Sequence, residues 1–366
     1  MKITFPHIGR SSIAFAAAAE SIGLEYVIPP RAYKEDLSYG GKVSPETICL
    51  PFKVNMGNLM KALDNGADTI TMAGGIGPCR FGYYAKGLET ILKDLGYNFT
   101  MLNLNQRDLP QIYRTLKKFS PKRFFFFSFM RGFFIFWQKA KAIAEAEALK
   151  RKWLPFALRR SEVNTVFKES LNRIEGAKGF FDVLRARKQN KTALQKIMKD
   201  MTRNPLKIGL VGEIYMIIDP QVNMDLENIV GEMGAETHTV LSLYKWLKYI
   251  FNLDHFGKRS FKNLVKTAKP YLSENAGGES QNNIGGTILY AKEGFDGVIH
   301  VYPFTCMPGL VGHTILNKVS VDHNIPVLNL CIDEHSSETG LKTRLEAFID
   351  MLEARRIAKN ALLSGN

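Results

Sequence analysis

The chain has 366 residues and a formal net charge of +14 at pH 7. This length is more than one ordinary core holds and predicts two or three domains. The composition is 45% hydrophobic and 23% charged, which is typical of a soluble globular protein. The longest apolar stretch, residues 124–137, is too short to span a bilayer and contains Arg131.

The positive charge raises the question of nucleic-acid binding. The basic residues are spread through the central part of the chain and around Lys258, Arg259 and Lys262, and no known nucleic-acid module accompanies them. We therefore expect no nucleic-acid partner. Two interpretations stay open: a solvated basic helical face, or a docking face for an acidic partner.

Strands and helices alternate in the first half of the chain. Strands are predicted at residues 3–7, 25–28, 69–72 and 98–102, and helices at residues 12–22, 45–65 and 84–95. Gly23 is placed to end the first of these helices. Short β-branched runs between helices of this length favour a parallel sheet covered on both faces.

A helical insert follows, with Pro121, Pro155 and Gly176 as its expected breaks. Its start holds eight phenylalanines and a tryptophan within residues 124–137, which is more aromatic than one helix face needs. We expect this run to pack between domains or to form a subunit interface. A lining for an acyl chain is the alternative.

The second half repeats the pattern of the first. The run KIGLVG at residues 207–212 resembles KITFPH at residues 2–7, and each precedes a helix and a Gly-containing turn. The fold class is therefore predicted as α/β, with two similar Rossmann-like domains and parallel sheets. The expected domains are residues 1–109 (a first α/β domain with Cys49 and Cys79), 110–204 (the basic, Phe-rich helical insert) and 205–366 (a second α/β domain with Cys306).

Three of the four cysteines occupy similar positions. Cys49, Cys79 and Cys306 each lie where a strand is expected to pass into a loop or helix, with proline nearby. Backbone N–H groups in such loops stabilise a thiolate. Ligands bind beyond the carboxyl ends of parallel strands, so two facing domains would bring Cys79 and Cys306 to one cleft, which Cys49 could close. Cys331 ends a predicted strand.

Spacing alone leaves the role of these cysteines open. The sequence has no CxxC pair, and dispersed cysteines also fit inert core thiols. Four cysteines without a disulfide framework and an N-terminus without a signal-peptide pattern predict a reduced, cytoplasmic setting.

Several segments resemble one known superfamily. They are CLPFK at residues 49–53, GPCRFGY at 77–83, GEIY at 212–215, PFTCMP at 303–308 and DEHS at 333–336. They look like motifs of the superfamily that contains the 2-hydroxyacyl-CoA dehydratase subunits, the double-cubane cluster proteins and the CoA-enzyme-activase-related (CoA protein activase) proteins. The resemblance covers about two-thirds of the chain and is weakest in the insert.

The resemblance implies an iron–sulfur cluster as cofactor, either a [4Fe-4S] cluster or half of a double cubane. The implied ligands are Cys49, Cys79 and Cys306, and the residues implied to surround the cluster are Gly77, Pro78, Arg80 and Thr305. Three thiolates leave one iron open, which can act as a Lewis acid and an electron donor. In the dehydratases this iron removes the hydroxyl of a 2-hydroxyacyl-CoA, and in the double-cubane proteins small molecules are reduced.

The resemblance also implies partners. The sequence has no Walker motif, so a separate ATP-dependent activator protein would supply low-potential electrons, as in anaerobic metabolism. A homodimer or a heterodimer with a homologous subunit is expected, and basic residues could bind the phosphates of a CoA ester. The chain would then be a lyase or reductase. The alternative is a non-catalytic accessory or cluster-carrying subunit, or an activase-related protein.

Three further positions bear on catalysis. Gly309 stands where the superfamily leads us to expect an acidic side chain. Glu334 and His335 follow a predicted strand and are candidates for catalytic proton transfer. They also fit a polar loop that enters a helix, with Ser336 or Ser337 as its cap.

Overall fold

The computed structural model describes residues 1–29, 33–74, 78–254 and 257–364. It has two four-stranded sheets in which every pairing is parallel. The first sheet has the order β2-β1-β3-β4 and comprises β1 (Lys2–Thr4), β2 (Glu25–Val27), β3 (Thr69–Gly74) and β4 (Thr100–Asn105). The second has the order β6-β5-β7-β8 and comprises β5 (Lys207–Gly212), β6 (Glu236–Thr239), β7 (Gly297–Pro303) and β8 (Val327–Ile332). The α/β class and the two similar Rossmann-like sheets are confirmed.

In the described residues, six helical segments accompany the first sheet. They are a 3₁₀ helix (Gly9–Ser11), α1 (Ser12–Ser21), α2 (Tyr33–Val43), α3 (Leu50–Asp64), a second short 3₁₀ helix (Arg80–Tyr83) and α4 (Tyr84–Asp94). Helix α1 ends at the predicted glycine, since Gly23 has a φ of 77° that favours glycine. Helix α2 was not predicted. The helix expected from residue 45 begins at Leu50, because Pro51 lacks an N–H and fits only the first turn.

Four helices lie between the two sheets in the sequence: α5 (Leu109–Lys117), α6 (Phe125–Trp153), α7 (Arg160–Gly176) and α8 (Phe180–Lys196). The helix breaks fall where they were predicted, because α6 ends two residues before Pro155 and α7 ends at Gly176. In the described parts of the chain no helix, α6 included, is both long and apolar enough to cross a membrane.

Helix α6 packs against both domains. On the first domain, Phe136 meets Phe15 of α1 with ring centroids 4.9 Å apart. On the second, Trp137 meets Tyr244 at 5.6 Å. Part of the Phe-rich run is therefore a helix packed between domains, as expected.

Among the residues that the structure describes, seven helices accompany the second sheet. They are α9 (Ile214–Ile218), α10 (Leu226–Glu232), α11 (Leu243–Ile250), α12 (Phe261–Ala268), α13 (Ser280–Lys292), α14 (Met307–Asp322) and α15 (Glu338–Ser364). All seven residues of β7 are buried. The core around this sheet also contains Leu37, Leu50 and Val54 of the first domain. The start of α3 is therefore fixed against the second domain by apolar burial.

Candidate metal centre

Three cysteines each precede the first residue of a helix. Cys49 is the N-cap of α3, Cys79 that of the 3₁₀ helix that continues into α4, and Cys306 that of α14. Their backbones are extended, so each side chain lies at the positive end of a helix, where a thiolate is stabilised. Cys79 follows β3 and Cys306 follows β7, as predicted. Cys49 follows α2 and a turn, so the strand predicted before it is wrong.

Each sulfur has a hydrogen-bonding partner. The N–H of Gly309 donates to Sγ of Cys306 over 3.4 Å, and the backbone of Phe81 donates to Cys79. Cys49 Sγ lies 2.7 Å from the hydroxyl of Tyr84. Donors of this kind stabilise a thiolate and tune a cluster bound to it.

A single guanidinium joins the three cysteine loops. Arg80, next to Cys79, donates to the carbonyl of Thr47 over 2.8 Å, and Thr47 lies two residues before Cys49. It also donates to the carbonyl of Thr305, the residue before Cys306. Arg80 therefore links the three loops, two in the first domain and one in the second.

The backbone at Thr305 is strained. Its φ is 62°, a conformation that β-branched residues rarely adopt. The interaction of its carbonyl with Arg80 helps to hold this conformation, as strained residues at functional sites require support from their surroundings.

A fourth loop, not predicted from the sequence, packs against the cysteine loops. It contains Gly277 and Gly278, with φ of 87° and 50°. A Cβ on Gly277 would lie 2.8 Å from Cγ of Pro78 and 3.1 Å from the backbone nitrogen of Cys79. A Cβ on Gly278 would lie 3.1 Å from Pro308. The pair of glycines is therefore required by close approach, and it brings Glu279 to the site.

Glu213 is the second functional group that sequence reasoning missed. It follows β5 and caps α9, with Oε2 accepting the N–H of Met216 over 2.9 Å. Burial raises the pKa of Glu213 to about 7, although the hydrogen bonds from the backbone of Met216 and Tyr215 lower it. The charge of Glu279 contributes to the increase. The only sequence signal was the GEIY segment at residues 212–215.

Negative groups converge at this point. Burial raises the pKa of Cys49, Cys79 and Cys306, and the charge of Glu213 raises all three further. The pKa of Cys306 is also raised by the other two thiols. Arg80 opposes this increase at Cys49 and Cys79. The thiols are therefore protonated unless a cation replaces the protons.

Within residues 1–29, 33–74, 78–254 and 257–364, no three His, Cys, Asp or Glu side chains are grouped so that they could hold a metal ion.

The residues predicted around the cysteines have different environments. Pro78 is exposed and lies against the loop that contains Gly277. Arg80 and Thr305 are partly buried and are joined by the hydrogen bond from the Arg80 guanidinium to the Thr305 carbonyl. Gly77 lies outside the described residues.

Glu334 and His335 are not equivalent. Glu334 forms an ion pair with buried Lys53 of α3. Burial would raise its pKa, but the hydrogen bond and charge of Lys53 outweigh this and lower the pKa. His335 is exposed, and Ser337 accepts the N–H of Gly340 over 3.1 Å at the start of α15. The loop is therefore polar and leads into α15, which agrees with the second interpretation of Glu334 and His335.

The structure accounts for Gly309 and Cys331. A Cβ on Gly309 would lie 2.7 Å from Cβ of Tyr302, so an acidic side chain has no room there. Cys331 lies inside β8, paired in register with Tyr302 and hydrogen-bonded to it. Its environment is a strand rather than a helix start.

The cleft is held by further contacts between the domains. His7 follows β1, and its Nδ1 lies 3.3 Å from Oδ2 of buried Asp219 in the second domain. Tyr215 donates to the backbone carbonyl of His7 and lies 3.1 Å from Oδ1 of Asn55. These buried contacts, with Lys53–Glu334, set the position of one sheet relative to the other.

Arg80→Gln is expected to lower the free energy of unfolding by about 2 kcal/mol, because two carbonyls lose a charged donor. Loss of the link should also make Cys49 and Cys306 react about tenfold faster with a thiol reagent in metal-free protein. Stopped-flow thiol labelling at fixed pH measures this. Arg107→Gln, at an exposed arginine, is the control, and equal labelling rates in both variants would contradict the linking role.

The sequence matches no protein-family model, and it matches no curated protein.

Proposed function

We propose that this chain is an iron–sulfur protein related to the 2-hydroxyacyl-CoA dehydratase subunits, with Cys49, Cys79 and Cys306 as cluster ligands. The observation that carries the proposal is that three thiols lie at three helix starts, and that one residue, Arg80, joins the loops that hold them. A core thiol needs neither a helix start nor such a link.

The electrostatics of the site support a positively charged occupant. Glu213 and Glu279 lie close enough to act on the thiols, and their charges make an empty, ionised site unfavourable. Iron would allow the three thiols to lose their protons. Either a [4Fe-4S] cluster or half of a double cubane fits three ligands.

The proposed chemistry is the dehydration of a 2-hydroxyacyl-CoA, which loses water without a net change of oxidation state, or a double-cubane type reduction. A cluster held by Cys49, Cys79 and Cys306 would supply an open iron for Lewis-acid and electron-transfer chemistry. Arg80 would hold the three ligand loops in place, while the amides of Phe81 and Gly309 would stabilise the thiolates.

Glu213 is better suited than Glu334 to hold a proton in this site. Its pKa of about 7 leaves its carboxyl half-protonated at neutral pH. Glu334 has a lowered pKa and is paired with Lys53, so its carboxyl is ionised. We therefore assign the transfer of a proton to a departing hydroxyl to Glu213, and leave Glu334 the role of joining the domains.

The proposed partners follow from the same function. A separate ATP-dependent activator would reduce the cluster, and a second subunit, identical or homologous, would shield it. The basic groove along α12, lined by Lys258, Lys262, Lys266 and Lys269, would suit the phosphates of a CoA ester. All four cysteines are free thiols, which suits a reducing cytoplasmic setting.

Anaerobic preparation tests the proposal. Protein prepared without oxygen, or reconstituted with iron and sulfide, is expected to be brown and to contain iron and acid-labile sulfide in equal amounts. Reduction with dithionite or an activator ATPase should give the EPR signal of a reduced cluster, and air should bleach it. Colourless protein that binds no iron under these conditions would overturn the proposal.

A further inference from the structure

Six phenylalanines form an exposed aromatic tip where two helices of the insert begin. They are Phe124, Phe126 and Phe127 at the start of α6, Phe134 in its third turn, and Phe180 and Phe181 at the start of α8. Phe127 is 71% exposed and Phe181 is 78% exposed. Arg131 of α6 donates to the carbonyl of Lys178 over 3.1 Å, which places the start of α8 beside the second turn of α6.

The core uses these rings little, although Phe126 meets Tyr113 with ring centroids 6.4 Å apart. Other aromatics of the same run account for its packing, since Phe125 and Phe129 lie against Tyr113, with ring centroids 5.1 and 5.3 Å away. Phe133 lies 5.5 Å from Phe251 of the second domain. The tip is therefore a surplus of exposed apolar surface, which normally meets a partner.

Positive charges outnumber negative charges around the tip. Residues 109–144 contain eight Lys or Arg and no Asp or Glu. The exposed cations beside the tip are Lys117, Lys118, Lys122, Arg123, Arg131, Lys178 and Arg185. The nearby acids include Glu20 and Glu175, which both act on Lys139 of α6, and Asp182, whose carboxylate accepts the N–H of Gly179 at the start of α8. The partial positive charges of the two helix N-termini act in the same direction.

We propose that the aromatic tip docks this protein onto an anionic membrane surface, with the phenylalanines among the lipid headgroups and the cations against their phosphates. This function is separate from the cluster and does not depend on it. The protein would lie on the membrane as a peripheral protein.

The geometry and the charges favour lipid over a protein partner. Adjacent residues such as Phe126 and Phe127 point about 100° apart around a helix, yet both are exposed, so the tip projects rather than presenting one flat face. A second copy of this chain would place the same cations against the tip, and like charges across an interface are unfavourable. A second subunit would therefore bind elsewhere.

Co-sedimentation with vesicles tests the proposal. The full chain is expected to bind phosphatidylcholine vesicles that contain 30% phosphatidylserine, and to bind pure phosphatidylcholine at least tenfold more weakly. Raising the salt to 0.5 M should weaken the binding, since charges are then screened. F127D/F181D should reduce binding at least tenfold because it removes buried apolar area. K122E/R123E should reduce it at least tenfold through the lost charges.

The matched control is Ile357→Asp, which places a charge at another exposed apolar residue, on α15, and should bind as the wild type does. Circular dichroism and light scattering on each variant report its fold and its size. The proposal is overturned if the wild type does not bind anionic vesicles, or if F127D/F181D binds them as strongly as the wild type does. A variant that fails only to form an oligomer would assign the tip to a protein interface instead, which also overturns it.

Discussion

Replacing Cys79 by serine is expected to remove most of the iron from anaerobically prepared protein. A hydroxyl is a poor ligand for iron, and a cluster with only two remaining thiolates loses its attachment to one of the three loops. Cys49→Ser and Cys306→Ser should have the same effect, because each thiol starts a different helix at the site. Iron and acid-labile sulfide per chain are the measurements.

Cys331→Ser is the matched control, since this thiol lies inside β8 beside Tyr302. It should retain the iron of the wild type. All four variants exchange sulfur for oxygen at a thiol, so each should keep its fold, and thermal melting of the metal-free proteins verifies this. Equal iron in the wild type and in Cys79→Ser would remove Cys79 from the ligand set, and loss of iron in Cys331→Ser would add Cys331.

The sequence predicted β3 and β7 well because both strands contain β-branched residues and lie largely or wholly out of solvent. When both faces of a parallel sheet are covered, its strands are short apolar, β-branched runs, and β3 and β7 have this pattern. The repeated strand order was likewise visible in the similar starts of the two halves.

Helix α2 was not predicted because it contains two glycines, one of which is needed for packing against another helix. Gly40 and Gly41 predict a turn from propensity alone. Gly40, however, lies against α3, where a Cβ would come within 1.9 Å of the carbonyl oxygen of Lys53. Close packing of two helices requires glycine there, and no local pattern reveals a contact with a residue 13 positions away.

Only part of the candidate site could be predicted, because its other features also depend on contacts between distant residues. The cysteines were visible as residue types with prolines beside them, but what joins them was not. Arg80 links residues up to 225 positions apart, and the role of Glu213 depends on three cysteines in two domains. Such links are properties of the folded chain, and only the resemblance pointed to the segments that contain them.

Glu213→Gln is expected to stabilise the metal-free protein at neutral and alkaline pH but not at acidic pH. In the folded wild type the pKa of Glu213 is about 7, whereas its ordinary value is 4.5. Below pH 4.5 the side chain is protonated in both states and has no effect on the free energy of unfolding. Between pH 4.5 and 7 the unfolded chain ionises first, so the wild type loses stability as the pH rises.

Above pH 7 this loss is complete, and the difference between the two pKa values corresponds to up to about 3 kcal/mol. Glutamine stays neutral and can still accept the N–H of Met216, so the variant avoids the loss. Urea denaturation of both proteins at pH 5 and pH 8, under reducing conditions, measures the difference. Glu353→Gln, at an exposed carboxylate, should show no such gain at either pH. An advantage of Glu213→Gln that is the same at pH 5 and pH 8 would mean that Glu213 does not titrate in this range, and the proton-holding role proposed for it would be wrong.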